Sequence, residues 1–138
     1  REPFDPVLHA DASSRMNMRG GDVYRHAVVR MTESSRAVLD RAGIGVEDVD
    51  LVIGHQANQR ILEAVGQRLG VSEERLHLTV DRHGNTSAAS IPLALDDARR
   101  SGALQARAQL LLTAFGGGLT WGSCLLTWKG TRSGGSSA

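Results

Sequence analysis

Apolar and polar positions recur along this chain in two rhythms, and the rhythm sorts it into helices and strands. Tyr24, Ala27, Val28, Met31, Val38, Leu39 and Ala42 follow one another at near 3.6-residue spacing. That spacing predicts an amphipathic helix with Asp22 as its cap, Gly43 as its stop, and Met31 and Tyr24 facing the core. Asp50-Leu51-Val52-Ile53-Gly54 is apolar on both faces, as in a strand covered from both sides. A second helix, stopped by Gly70, carries Ile61, Leu62, Val65 and Leu69 inward. It leaves Arg60, Glu63, Gln67 and Arg68 on the opposite, solvated face.

The remaining runs are shorter. Val7 to Ala10 reads as a brief strand, Asp11 to Arg15 as a polar loop, and Gly20-Gly21 as a flexible lead into the first helix. Ser72-Glu73-Glu74 looks like one helical turn, Leu76 to Val80 alternates as a strand would, and Asp81 to Asn85 forms a polar turn. From Ser87 to Arg100, Ile91, Leu93, Ala94, Leu95 and Ala98 ring most of a helix, which predicts that it is buried. Pro92 falls in its first turn, where a missing amide hydrogen costs least. Ala108 to Ala114 reads as a central strand, Phe115-Gly116-Gly117-Gly118 as a turn, and Leu119 to Trp128 as the antiparallel return. The glycine turn is either a plain hairpin or a loop that approaches a ligand. The last residues, 130–138, form a Gly/Ser-rich tail expected to fray.

Composition narrows the class. A chain of 138 residues supports one core. A hydrophobic share of 41%, a charged share of 22% and a net charge of +1 fit a soluble globular unit and exclude a nucleic-acid-coating or disordered one. The single cysteine, Cys124, forms no internal disulfide and fits a reducing compartment, so cytoplasm is expected; its apolar strand predicts an inert core thiol. No run is long and apolar enough for a membrane span. His9, His26, His55, His77 and His83 show no metal-ligand spacing, and no Walker A loop or GxSxG elbow is present.

Candidate chemistry concentrates in two blocks, Gly54-His55-Gln56-Ala57-Asn58-Gln59-Arg60 and His83-Gly84-Asn85-Thr86-Ser87-Ala88-Ala89-Ser90. Each stands where a strand-like run gives way to a helix-like run, at the end of a sheet where open α/β proteins keep their chemistry. Taken singly, the Asn is a helix cap and the His a surface residue. Together, a neutral imidazole and an amide aimed at one point would anchor a carbonyl oxygen that gains negative charge.

These two blocks, with Ala114-Phe115-Gly116-Gly117-Gly118-Leu119-Thr120-Trp121-Gly122-Ser123, resemble in order and spacing the beta-ketoacyl-acyl-carrier-protein synthase III family, a branch of the thiolase superfamily. The resemblance runs from Met16 to Trp128. It implies an α/β fold, the thiolase-like C-terminal half over residues 1–129, with the opening strand and part of a loop missing. That half would be a mixed, five-stranded type of sheet covered by helices on both faces, with one helix buried between layers. It would pack against an N-terminal half that supplies the nucleophilic Cys, in an enzyme that is usually a homodimer.

The resemblance further implies decarboxylative condensation of an acyl-CoA primer with malonyl carried on acyl carrier protein, in fatty acid or polyketide synthesis. Acyl-CoA and phosphopantetheine-bound malonyl would be substrates, with no resident cofactor, no metal, and no nucleic-acid or membrane partner. His55 and Asn85 match the family's catalytic pair, Gly117 an oxyanion glycine and Phe115 a residue shielding the reacting centre. Met18 and Gly20 match the tunnel wall, Asn58 the pantetheine arm, and Arg60 and Arg68 positions that dock the carrier protein. Ala114 stands where thiolases have a second cysteine, which argues against thiolysis. An acyltransferase without decarboxylation, and a non-catalytic fragment that only packs against a synthase, are the alternatives.

Overall fold

Three of the apolar runs join into one sheet in the computed structural model, which describes residues 8–10 and 16–130. Strand β3 (Leu51–Gly54) runs parallel to β4 (Gln109–Gly116), which is antiparallel to β5 (Thr120–Thr127), in the order β3-β4-β5. Leu51 pairs with Leu110 and Gly54 with Thr113, while Phe115 pairs with Trp121 across the hairpin. A mixed sheet of this kind needs a long crossover between its parallel strands, and residues between β3 and β4 supply it as helices. A separate pair, β1 (Leu8–Ala10) with β2 (Met16–Met18), precedes the first helix.

Helices cover both faces of the sheet, as the thiolase-like half requires. Helix α1 (Gly20–Ala42) and α2 (Gln59–Leu69) bury Ala27, Met31, Leu39, Leu62 and Val65 against Val52, Leu111 and Phe115. Helix α4 (Ser90–Arg100) packs Ala94 and Ala98 against Leu51, Ile53 and Leu110 on the other face. Each fully buried Leu or Ile in these two clusters contributes roughly 2 kcal/mol of transfer free energy. A chain of hydroxyls ties α1 to the hairpin: Ser34 Oγ lies 2.7 Å from Ser123 Oγ, which donates to Thr113 Oγ1 at 2.9 Å. Gly43 and Gly70 end α1 and α2 in the left-handed conformation, with φ of 69° and 80°. No helix among the described residues is long and apolar enough to cross a membrane.

Several sequence expectations are corrected. Asp22 does not cap α1: the helix begins at Gly20, and the Asp22 carboxylate pairs with Arg19 and Arg25 instead. Leu76 to Val80 is not a strand. Only Leu76 bridges to Val52, and residues Val80–His83 form a helical turn, α3. The amides of Thr79 and Val80 are taken by the Gln56 side chain, so no neighbouring strand is needed to satisfy them. The sheet accordingly has three strands and one bridge among the described residues, not five.

Helix α4 buries only Ser90, Ala94 and Ala98, and Leu93 is 41% exposed, because nothing among the described residues covers its second side. Cys124 is exposed, since β5 presents one face to solvent, so it is not a core thiol. β5 is also the last strand of the sheet among the described residues. The loop Asp11 to Arg15 and the tail from Thr131 lie outside the described residues.

Candidate active site

At the C-terminal end of β3 the chain must leave the sheet without losing its packing on α2. Gly54 allows this, because a Cβ there would collide with the Leu62 side chain. His55 follows at once, its backbone N–H donating to Thr113 O at 2.9 Å, as if one more rung of the parallel ladder. Its side chain is half-buried and its Nδ1 lies 2.7 Å from Ser90 Oγ, at the first turn of α4. Burial holds the imidazole below its ordinary pKa of 6.5, so the ring is neutral at pH 7.

Asn85 arrives from the other side of the crossover, just past α3 and Gly84. Gly84 has φ of 63° and lets the chain turn back toward the sheet. The Asn85 carboxamide oxygen accepts from Ser87 N at 2.9 Å. Because a backbone N–H needs an acceptor, that contact fixes which end of the amide is oxygen. The amide NH2 is left as the unused donor of a residue on the cavity wall.

Between the two arms lies Gln56, 1% exposed, with every hydrogen-bonding position of its amide in use. Its Nε2 donates to Gly54 O at 2.9 Å and His77 O at 3.2 Å. Its Oε1 accepts from Thr79 N at 2.8 Å and Val80 N at 3.1 Å. One buried side chain therefore pins the segment leading to Asn85 against the strand end that carries His55. Outside it, Arg82 makes paired contacts of 2.7 and 2.9 Å to Asp97, and His77 Nε2 lies 2.8 Å from the same carboxylate, tying α3 to α4.

His55, Asn85, Phe115, Gly117 and Met18 line one open cavity of about 750 Å³. Its wall is largely apolar, with Val23, Ala27 and Met31 from α1, Ile61 from α2, and Leu119 and Trp121 from the hairpin. Phe115 and Trp121 stack with centroids 6.5 Å apart, and the Arg30 guanidinium covers the Trp121 ring at 5.1 Å. The glycine turn thus faces the cavity. Two hydrogen-bond donors set in an apolar hollow suit a carbonyl oxygen that takes up negative charge during reaction.

Four of the expected site residues do not line this cavity, Arg60 and Arg68 having been expected on the solvated face of α2. Gly20 opens α1 and Asn58 caps α2, its Oδ1 accepting from Arg60 N at 2.9 Å; neither is on the cavity wall. Arg60 and Arg68 are exposed on α2, and the Arg68 carbonyl accepts from Arg36 at 2.6 Å. Cys124 is not on the wall either, so the cavity holds no thiol from this chain. No cluster of three or more potential metal ligands occurs among the described residues. Sequence reasoning gave no role to Gln56 or Ser90, although both stand inside the two polar blocks. Their signal is a polar side chain immediately beside an apolar strand or helix start, where it must be satisfied internally.

Residues 39–128 match the family described as 3-Oxoacyl-[acyl-carrier-protein (ACP)] synthase III C terminal. A Beta-ketoacyl-[acyl-carrier-protein] synthase III of Nitratidesulfovibrio vulgaris (strain DP4) is 56% identical over 111 residues, covering 80% of this chain and 34% of that protein. Among solved structures, 3-oxoacyl-[acyl-carrier-protein] synthase III from Aquifex aeolicus VF5 superposes with a TM-score of 0.85 at 44% identity, covering 88% of this chain and 40% of its own. The priming beta-ketosynthase from the R1128 polyketide biosynthetic pathway gives a TM-score of 0.81 at 34% identity, over 90% of this chain and 41% of its own. The chain thus spans about a third of the length of the first curated relative it matches.

Proposed function

This chain belongs to the 3-oxoacyl-[acyl-carrier-protein] synthase III family, and from that premise we propose that it supplies the half-site that activates the malonyl group in a decarboxylative condensation. His55 Nε2 and the Asn85 amide donate to the malonyl thioester oxygen. As carbon dioxide leaves, the electron pair of the broken C–C bond moves onto that thioester as an enolate, held by two donors in an apolar hollow. The enolate carbon then attacks an acyl-cysteine thioester, the C–S bond breaks, and the thiolate departs to leave a 3-ketoacyl product. That cysteine comes from the partner half and not from this chain, since Cys124 lies off the cavity. The substrates carry the thioester chemistry themselves, with no resident cofactor, and the intact enzyme is a dimer of such paired halves.

The observation that carries this reading is the convergence of His55 and Asn85 on one apolar cavity beside the glycine turn. Turnover of malonyl thioester by the assembled enzyme tests it. His55→Ala removes one of two preplaced donors and is expected to slow decarboxylation roughly a hundredfold to a thousandfold. Wild-type decarboxylation by that variant would refute the role.

Arg60 and Arg68, both exposed on α2, form the docking face for the acidic carrier protein in this proposal. Reversing the charge in Arg60→Glu should slow reaction with carrier-bound malonyl several-fold at low salt while leaving malonyl-CoA little changed. Equal slowing with both substrates would count against docking there.

A further inference from the structure

His55 serves as a donor only if its cavity-side nitrogen carries the proton, and the groups behind the ring decide which nitrogen that is. Nδ1 is engaged at 2.7 Å by Ser90 Oγ, so Nε2 is the nitrogen left for a ligand. Ser90 is 2% exposed, which leaves its hydroxyl no water to fall back on. The same oxygen accepts from Gln56 N at 3.2 Å. Gln56 cannot turn away, because its side chain is anchored at Gly54, His77, Thr79 and Val80. Among the described residues the Ser90 proton has one acceptor within reach, His55 Nδ1.

We infer that Ser90 is a positioning residue for the condensation: its hydroxyl donates to Nδ1 and holds His55 as the neutral tautomer with the proton on Nε2. The opposite tautomer would place an N–H against Ser90 Oγ, leaving the serine hydrogen enclosed without a partner and the cavity facing a lone pair instead of a donor. A lone pair there would repel a developing enolate oxygen. The chain of contacts runs from Gln56 N–H to Ser90 Oγ, from Ser90 O–H to Nδ1, and from Nε2–H into the cavity, each group passing its donor forward. The Asn85 carboxamide repeats the device, its oxygen occupied from behind by Ser87 N–H and its NH2 left forward. Both arms thus use up the acceptor of each catalytic group within the protein.

The inference rests on the function proposed above, and the test separates the two. The full chain, together with any chain that co-purifies with it, is labelled with 15N at histidine, and the His55 signals are assigned by their loss in His55→Gln. Above pH 7.5 the wild-type ring should show an unprotonated, hydrogen-bonded Nδ1 and a protonated Nε2. Ser90→Ala should shift the ring toward a mixture of tautomers, and Ser90→Thr should restore the single form. In turnover, Ser90→Ala should lower kcat roughly tenfold, less than loss of the whole donor, with KM kept and Ser90→Thr recovering the rate.

A wild-type ring protonated on Nδ1 would overturn the inference without any variant, and so would an unchanged tautomer in Ser90→Ala. If His55→Ala still decarboxylates malonyl thioester, the function falls while the spectroscopic result stands. If His55→Ala is inactive but the ring carries its proton on Nδ1, the function stands and the role of Ser90 falls.

Discussion

His55 and Asn85 reach one cavity from supports of opposite kind. His55 extends a strand that is buried at every position, and its own amide continues the hydrogen-bond ladder to β4. Asn85 closes a stretch, Asp81 to Asn85, that is exposed throughout, next to a Thr86 whose buried Oγ1 has no partner among the described residues. What fixes that second arm is side chains: Gln56 replaces a strand neighbour for Thr79 and Val80, and Asp97 gathers Arg82 and His77. Backbone ladders are hard to remove by mutation, whereas side-chain anchors can be cut one at a time. The two donors should therefore fail separately, the Asn85 arm first.

The sharpest way to break that contrast is Gln56→Leu. It leaves two amide hydrogens and two carbonyls without their present partner at a site 1% exposed. The expected loss is on the order of 4 kcal/mol, read from the urea midpoint, with amide exchange rising most in residues 77–85. A loss below about 1 kcal/mol would mean the arm is held by something other than Gln56.

Acid should next separate the arms by pH. The His55 pKa is depressed by burial, so between its ordinary 6.5 and its folded value the unfolded chain binds the extra proton. The stability contributed by this shift is full above 6.5 and falls as pH drops from there toward the folded value. Asp97 is also depressed, chiefly by its hydrogen bond from Arg82, so its contribution is full above its ordinary 3.8 and is lost only as pH falls below that. A pH titration followed by NMR should show His55 changing first. Loss of the Arg82 contact at or above pH 6 would reverse the order.

The smallest effect is expected from Arg82→Ala, an exposed pair whose loss should raise amide exchange in residues 80–85 a few-fold and leave residues 51–54 unchanged. Equal change in both segments would show that the arms are one cooperative unit.

This division also marks what could be read from sequence. Leu51-Val52-Ile53 announces a buried strand by its unbroken apolar run, and Gly43 and Gly70 announce helix ends, because local sterics alone decide those features. Leu76 to Val80 alternates convincingly and still forms no strand, since the acceptor for the Thr79 and Val80 amides is a side chain 23 and 24 residues earlier. Alternation reports which faces an extended segment would show, not whether a partner exists beside it. The cavity was legible as three motifs by resemblance. The roles of Gln56 and Ser90 were not, because a hydrogen bond between residues 34 positions apart has no local pattern. Leu93 and Cys124 misled for a related reason, since the described residues leave both exposed despite their apolar neighbours in sequence.

β5 carries a practical consequence of its place at the end of the sheet. From Thr120 to Thr127 it holds no charged residue and no proline to discourage a neighbour, and Trp121 and Cys124 stand in solvent. Handled alone at high concentration, the chain has a ready template for stacking copies into insoluble ladders. A covering strand, rather than a tighter interior, is what would keep it in solution.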